Sequence, residues 1–347
     1  MTTNSLPRIL VLGGTGSIGQ AVAQNLLAKG YRVTLLARTP AKAQALFASS
    51  ANLTIEPGDA EDLPRLLAVS RGHDVIFHGI NYPYHQWEGT QERMTQNVIA
   101  AASQERALII FPGNIYNFGL TTPIREDSAP APITKKGAIR VRQEQLLAEA
   151  ARAGRCRVPN VRLPDFWGPT VVNDGTIPIF EGALTGKALP WIATVDLPHQ
   201  FVYTPDAAEI ISRLLAAGQP EAYEVVNYGG QTVPSVRAFF TRISQIAGHP
   251  TVRVRVLPRW LFAVLAPFLP MMKAMHEMLY LYDHSILLDD TGLRRRFPAW
   301  RETPLDTAIA TTLQWFARHR LNQNFVPAVP VTPPAFETHP ASVPSIF

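Results

Sequence analysis

The sequence predicts an α/β fold, a doubly wound parallel sheet with a smaller, mixed lobe toward the C-terminus. Two observations predict it. Short apolar runs alternate with helix-length segments through the first half of the 347 residues, the pattern of a parallel sheet covered on both faces. The first run, Arg8-Ile-Leu-Val-Leu12, also passes through a glycine turn directly into a helix, the usual opening unit of such sheets.

The elements follow in order. Residues 8–12 are the first strand, and residues 20–30 a helix stopped by Gly30. Strands are predicted at 31–37, 53–56, 74–78 and 107–111, with a helix over 63–70 between the second and third of these. Residues 91–104 have helical spacing, with Met94, Val98, Ile99 and Ala102 on one face. Residues 136–152 form a long helix through Ile139, Leu146 and Leu147, and residues 160–163 a sixth strand. Beyond that the pattern loosens. Residues 170–198 are rich in Gly and Pro and read as loops around a pocket. Strands at 200–203 and 223–228 and helices at 205–217, 236–247 and 305–319 complete the reading. The domain division expected is 1–165 for the sheet, with elements of 200–230 returning to it, 166–320 for a discontinuous lobe, and 321–347 for a Pro-rich extended tail. There are no internal repeats.

Composition narrows the function classes. Hydrophobic content is 46% and charged content 17%, values that fit a globular protein of enzyme type. The net charge of +5 is mild and no long Lys/Arg run exists, so nucleic acid is not an expected partner. The single cysteine, Cys156, forms no internal disulfide and points to a reducing, cytoplasmic location. The polar first residues lead straight into a strand, so no signal peptide is expected. The apolar stretch Trp260–Met272 is too short to span a bilayer and is interrupted by Pro267 and Pro270. It reads as a pocket cap, a dimer contact or a membrane-surface segment, in that order.

Gly13-Gly-Thr-Gly-Ser-Ile-Gly19 carries the first functional signal. Gly13 permits a tight turn, Gly16 lets backbone approach a pyrophosphate, and Gly19 allows close helix–strand packing. Thr15, Ser17 and Ile18 complete a cradle that opens onto a helix N-terminus, where free N–H groups favour an anion. This is a Rossmann-type dinucleotide site. At the end of the second strand, where an NAD-specific site places a carboxylate for the ribose 2′-hydroxyl, this chain has Ala37 and then Arg38. A guanidinium suits a 2′-phosphate, and Lys42 adds charge, so NADP(H) is expected over NAD(H).

Four segments together resemble the extended short-chain dehydrogenase/reductase superfamily, specifically its NAD-dependent epimerase/dehydratase group, from about residue 9 to 316. They are the glycine loop, Gly58-Asp-Ala-Glu-Asp62, Arg162-Leu-Pro-Asp-Phe-Trp-Gly-Pro169, and His199-Gln-Phe-Val-Tyr-Thr-Pro-Asp-Ala-Ala208. The resemblance implies that Asp59 and Ala60 face the adenine, and that Gly79 and Pro164 border the cofactor. It places Asn97 at the family's helix asparagine. It also implies a homodimer through the helices near residues 91–104 and 136–152.

The chain departs from this family where catalysis is expected. The family uses a Tyr with a Lys four residues later, plus a Ser or Thr after the fifth strand. Here Phe111-Pro-Gly-Asn-Ile-Tyr116 offers Pro112 or Gly113 at the hydroxyl position, and Lys136 and Arg140 stand for Tyr and Lys. Three readings follow. Lys136 is the proton donor, with Asn114 or Tyr116 polarising the substrate and Arg140 holding the nicotinamide ribose. Alternatively, hydride transfer proceeds with little acid help. In the third, the protein binds NADP(H) without turnover, as a redox sensor or partner-binding protein like the NmrA-type relatives. Tyr82, Tyr84, His85 and Trp87 follow the fourth strand, where ligands sit, and with Phe166, Trp167 and His199 they are the expected substrate contacts. In the family an Arg stands where His199 does and binds nucleotide-sugar diphosphate. The substrate expected is therefore a small, hydrophobic carbonyl compound. No metal site is expected, because the histidines are scattered and Asp289-Asp290 lacks partners at ligand spacing.

Overall fold

The computed structural model describes residues 6–331 apart from Gln219. The chain runs β1 (Arg8–Leu12), α1 (Ser17–Ala28), β2 (Arg32–Ala37), α2 (Pro40–Leu46), β3 (Leu53–Pro57), α3 (Leu63–Ser70), β4 (Val75–His78), α4 (Thr90–Glu105), β5 (Leu108–Gly113), α5 (Lys135–Arg152) and β6 (Val158–Arg162). It continues through β7 (Asp165–Trp167), α6 (Ile177–Leu184), β8 (Leu189–Ile192), β9 (His199–Tyr203), α7 (Thr204–Ala216), β10 (Tyr223–Asn227) and β11 (Gln231–Val233). Last come α8 (Val236–Ile246), β12 (Val254–Leu257), α9 (Arg259–Leu265), α10 (Pro270–Glu277), α11 (Tyr280–Asp283), α12 (Thr291–Arg296) and α13 (Leu305–Arg320).

Seven strands form one sheet in the order β10-β6-β5-β4-β1-β2-β3, and every pairing is parallel. The two-residue period of β1 sets the layers. Ile9 and Val11 face one apolar cluster with Val22 and Leu26 of α1 and Ile210 and Leu214 of α7. Leu10 and Leu12 face the opposite cluster with Leu66 of α3, Val98 of α4 and Leu147 of α5. All four β1 side chains are fully buried, and each contributes roughly 1.5–3 kcal/mol of transfer free energy. The chain order reverses between β1 and β4, which opens a crevice at their carboxyl ends.

A three-stranded sheet, β11-β9-β7, and a pair, β12-β8, lie apart from the large sheet. They share an aromatic core with α6, α8 and α13 in which Trp167, Phe180, Phe239, Phe240 and Phe316 are buried. The expectation of loops over 170–198 is corrected here by α6 and β8. Pro178 sits in the first turn of α6, where its missing N–H is harmless. Gly182 lies against Leu189, with a Cβ there only 3.0 Å from the leucine side chain, so it serves packing and not a turn. The first part of the tail is tied down. Ala328 N–H donates to Ile246 O at 3.0 Å, and Phe325, Val329 and Val331 pack on the aromatic core. Residues 332–347 lie outside the described residues. Among the described residues, no helix is long and apolar enough to cross a membrane, and no group of three His, Cys, Asp or Glu is placed to hold a metal.

Candidate active site

A cleft of about 530 Å³ opens at the carboxyl ends of β1 and β4, a size within the usual range for ligand sites. Its first wall is the glycine loop, residues 13–19. Gly13 has φ +79°, and a Cβ there would stand 2.5 Å from the Gly79 carbonyl oxygen. A Cβ on Gly19 would stand 2.2 Å from Gly13 O. The loop is therefore pressed between the start of α1 and the turn after β4. Gly16 is the N-cap of α1 and provides no side-chain cap, so the first-turn N–H groups are left for a ligand. A pyrophosphate fits that donor set.

The next wall comes from β2 and β3. Arg38, Thr39 and Lys42 line one side, and Asp59 and Ala60 the other. Among the described residues, Arg38 has no hydrogen-bond or ion-pair partner. The Asp59 loop is braced from two directions. Asp59 Oδ1 accepts from Glu61 N–H at 3.0 Å, and Asn97 Nδ2 donates to the carbonyls of Ala60 and Glu61 at 3.1 and 3.2 Å. Tyr82 donates to Glu61 Oε1 at 2.9 Å and lines the cleft beside it.

The far end is made of side chains. Asn81, Trp87, Asn114, Tyr116, Arg140, Pro164, Asp165 and Phe166 surround it. Arg140 is buried, with its guanidinium 4.6 Å from the Trp87 ring centroid. One nitrogen is 3.5 Å from Asn81 Oδ1, while Nε has no partner. Burial lowers its pKa from the ordinary value, but a guanidinium still keeps its charge at neutral pH. Tyr116 lies stacked on Trp87, and its hydroxyl is 2.7 Å from that of Tyr84. Burial, then the neighbouring Tyr84 and Asp165, hold the Tyr116 phenol well above its ordinary pKa. Asn114 Oδ1 accepts from Tyr116 N–H at 3.1 Å and fixes the turn.

Several expected residues are placed elsewhere. Lys136 does not line the cleft; its backbone N–H donates to Glu277 Oε1 at 2.7 Å, and its Nζ is 3.5 Å from Glu277 Oε2. Trp167 turns into the aromatic core, stacked on Phe180 at 5.8 Å, whereas its neighbour Phe166 does face the cleft. His199 sits behind Asp165, its Nε2 2.9 Å from Oδ2. His85 is exposed on the 3-10 turn Tyr84–Gln86 and bonds Gln86. Tyr84 stands one layer behind Tyr116.

Neither candidate for the hydroxyl position supplies one, and at Gly113 the room for a side chain is taken. Pro112 and Gly113 line the cleft, and a Cβ on Gly113 would stand 2.2 Å from Asn160 Oδ1. Two residues that the motifs did not single out also line this end. Asp165 is one. His78 is the other: burial, then the Arg140 charge, press its pKa to about 3, so it is neutral. Its Nε2 is 3.4 Å from Thr95 Oγ1 and its Nδ1 has no partner. Its place at the end of a fully buried strand just before Gly79 was the available signal.

The profile of the NAD dependent epimerase/dehydratase family matches residues 9–229. The chain is 27% identical to dTDP-6-deoxy-L-talose 4-dehydrogenase (NAD(P)(+)) of Kitasatospora kifunensis, over 70% of this chain and 80% of the relative. It is 26% identical to UDP-N-acetyl-alpha-D-glucosaminuronate decarboxylase of Bacillus cytotoxicus, over 72% and 83%. The fold is that of dTDP-glucose 4,6-dehydratase from Bacillus anthracis, solved in complex with NAD, at a TM-score of 0.75 and 16% identity over 92% of this chain and 99% of that one.

Proposed function

The chain belongs to the NAD dependent epimerase/dehydratase family, and we propose that it is a nicotinamide-dinucleotide-dependent oxidoreductase or epimerase-type enzyme. One observation carries this reading. A single cleft joins the glycine cradle, the adenine-side loop and a buried polar group around Arg140 and Tyr116. A purely structural glycine turn would not need that third part. The cofactor proposed is NADP(H) in preference to NAD(H). Arg38 and Lys42 line the cleft where a 2′-phosphate would sit, and the strand ends on Ala37 in place of a carboxylate.

The residues that would hold the cofactor are Gly13, Thr15, Gly16, Ser17, Ile18 and Gly19 at the phosphates, Arg38 at the ribose phosphate, Asp59 and Ala60 at the adenine, and Gly79, Arg140 and Pro164 at the nicotinamide end. When bound, the nicotinamide supplies hydride transfer at a carbinol or carbonyl carbon. The chain's own part is electrostatic and positional. Tyr116, kept protonated by burial, donates a hydrogen bond to the substrate oxygen, with Tyr84 2.7 Å behind it. The fixed charge of Arg140 stabilises negative charge on that oxygen. Lys136, tied to Glu277, is not assigned the proton.

For the substrate, nucleotide sugars are the first class, because the relatives are named for dTDP- and UDP-sugars. A small hydrophobic carbonyl compound is the second reading, favoured by Phe166 and the Trp87–Tyr116 wall at the cleft's far end. A homodimer through α4 and α5 and a reducing compartment, suggested by the lone buried Cys156, complete the proposal. The test is calorimetric titration with NADPH, NADP, NADH and NAD, then turnover on dTDP- and UDP-sugars beside a carbonyl and enone panel. Turnover on either panel would support an enzyme and choose its substrate class. Tight NADP(H) binding with no turnover anywhere would move the protein to the non-catalytic, sensor-type reading. Absence of dinucleotide binding would overturn the proposal.

A further inference from the structure

We infer that α9, α10 and the strand before them form a docking surface for a lipid bilayer carrying anionic headgroups. The inference does not depend on the proposed reaction. Trp260 and Val264, four residues apart, stand on the outer side of α9 and are 64% and 58% exposed, while Phe262 points inward and is buried. Phe268 in the following turn is 78% exposed. Leu269 and Met271, at the start of α10, and Val256 in β12 are also exposed. Isolated exposed apolar residues are ordinary on a protein surface, but this many large ones within 16 residues of chain form a patch that water solvates poorly.

Charge identifies the occupant. From Val225 to His276 the sequence has no Asp or Glu, yet it carries Arg237, Arg242, Arg253, Arg255, Arg259 and Lys273. Arg237, Arg242 and Arg259 pair with Asp196, Asp306 and Asp283. Arg253, Arg255 and Lys273 have no carboxylate partner among the described residues, and they flank the apolar patch in sequence on both sides. An apolar face containing Trp, Phe and Leu, bordered by unpaired cations, with the nearest acids in sequence, Glu277 and Asp283, paired to Lys136 and Arg259, is what a segment lying in the headgroup plane requires. A protein partner of mixed charge would not call for the exclusion of acids over so long a stretch. The place is also suggestive. Helix α10 packs against the Tyr84–Gln86 turn, and Tyr84 bonds Tyr116 in the cleft wall. A bilayer seated on the patch would lie beside the far end of the cleft.

The test is flotation of the full chain with vesicles of phosphatidylcholine alone and of phosphatidylcholine with phosphatidylglycerol. The wild type should float with the mixed vesicles and stay in solution with the neutral ones. The Arg255→Glu/Lys273→Glu double variant should weaken that binding by at least about fivefold, and Phe268→Glu should abolish it. All three positions are exposed, so thermal unfolding should be unchanged in both variants. Trp260 is the most exposed tryptophan the structure describes. Its emission should shift to the blue with mixed vesicles, and Trp260→Phe should lose that shift while still floating. Failure of the wild type to float with mixed vesicles would overturn the inference. If light scattering instead detects a dimer that Phe268→Glu dissociates, with no vesicle binding, the patch is an interface between two copies.

Discussion

At the glycine end of the cleft the binding surface is backbone. Gly13 is held against Gly79 and Gly19 against Gly13, at distances that admit no side chain, and the ligand-facing groups are the uncapped N–H groups of α1. At the far end the surface is side chain: Arg140, Tyr116, Asn114, Asp165 and His78. The first end is marked in the sequence by its glycine spacing, and the second by no fixed pattern. The difference teaches how each kind of site tolerates change. A backbone cradle is over-determined by sterics, so almost any substitution destroys it. A side-chain cluster need only keep a buried donor and a fixed charge near the reacting oxygen, and different residues can provide them.

The sharpest way to break this comparison is at the backbone end. Gly19→Val would drive its Cβ into the Gly13 carbonyl oxygen. Dinucleotide affinity should fall at least about 100-fold, with a loss of about 1–3 kcal/mol of stability. Calorimetry and a thermal melt measure both, and near-normal affinity would mean that the cradle is not the phosphate site.

At the side-chain end the contrast lies between two residues. Tyr116→Phe should lower turnover about 100-fold and leave dinucleotide affinity unchanged, because the ring and its stacking on Trp87 survive. Lys136→Ala should leave turnover nearly unchanged, since the ammonium is committed to Glu277. The opposite pair of results would restore Lys136 as the proton donor.

Acid stability sharpens the claim that His78 is buried and neutral. The imidazole of His78 titrates near 6.5 in the unfolded chain and at about 3 in the folded one. Below pH 6.5 the unfolded chain takes up a proton that the folded chain refuses, so stability falls as pH falls toward 3. At pH 4.5 the share due to this group is about 2–3 kcal/mol. Urea midpoints at pH 7 and pH 4.5 should therefore differ less for His78→Gln than for the wild type. An equal drop in both proteins would mean that His78 accepts its proton in place, and that water reaches it.

The smallest expected effect is the most selective. Arg38→Ala should weaken NADPH about tenfold, the worth of a charge-assisted hydrogen bond, and leave NADH alone. An unchanged ratio of the two affinities would remove Arg38 from the 2′-phosphate and leave specificity to NAD.

The fold was largely legible because β1 through β6 alternate with helices whose apolar faces repeat at the helical period. The glycine end was legible because a backbone requirement leaves a mark at fixed spacing. What escaped did so for identifiable reasons. Helix α6 was hidden by Pro178 and Gly182, which act there in a first turn and in packing. The segment 162–169 is one motif in sequence, but strand β6 of the large sheet ends at Arg162 and β7 joins β9, with Trp167 opposite Tyr203. Adjacent residues of one motif therefore face different surroundings, and Phe166 meets the cleft while Trp167 does not. Lys136 was misplaced because its partner, Glu277, is 141 residues away in sequence, and no local pattern announces such a pair.

The contact between Gly113 and Asn160 bears on how this end of the cleft can be re-engineered. Asn160 Oδ1 occupies the space that a side chain at 113 would need, while its Nδ2 donates to Tyr223 at 3.0 Å. Placing a serine at Gly113 alone would therefore set its Cβ against Asn160 Oδ1 before it supplied a hydroxyl. A companion change that shortens Asn160 would make the room and would lose the Tyr223 bond. The two positions therefore have to be changed together, and neither substitution alone installs a serine hydroxyl at this end of the cleft.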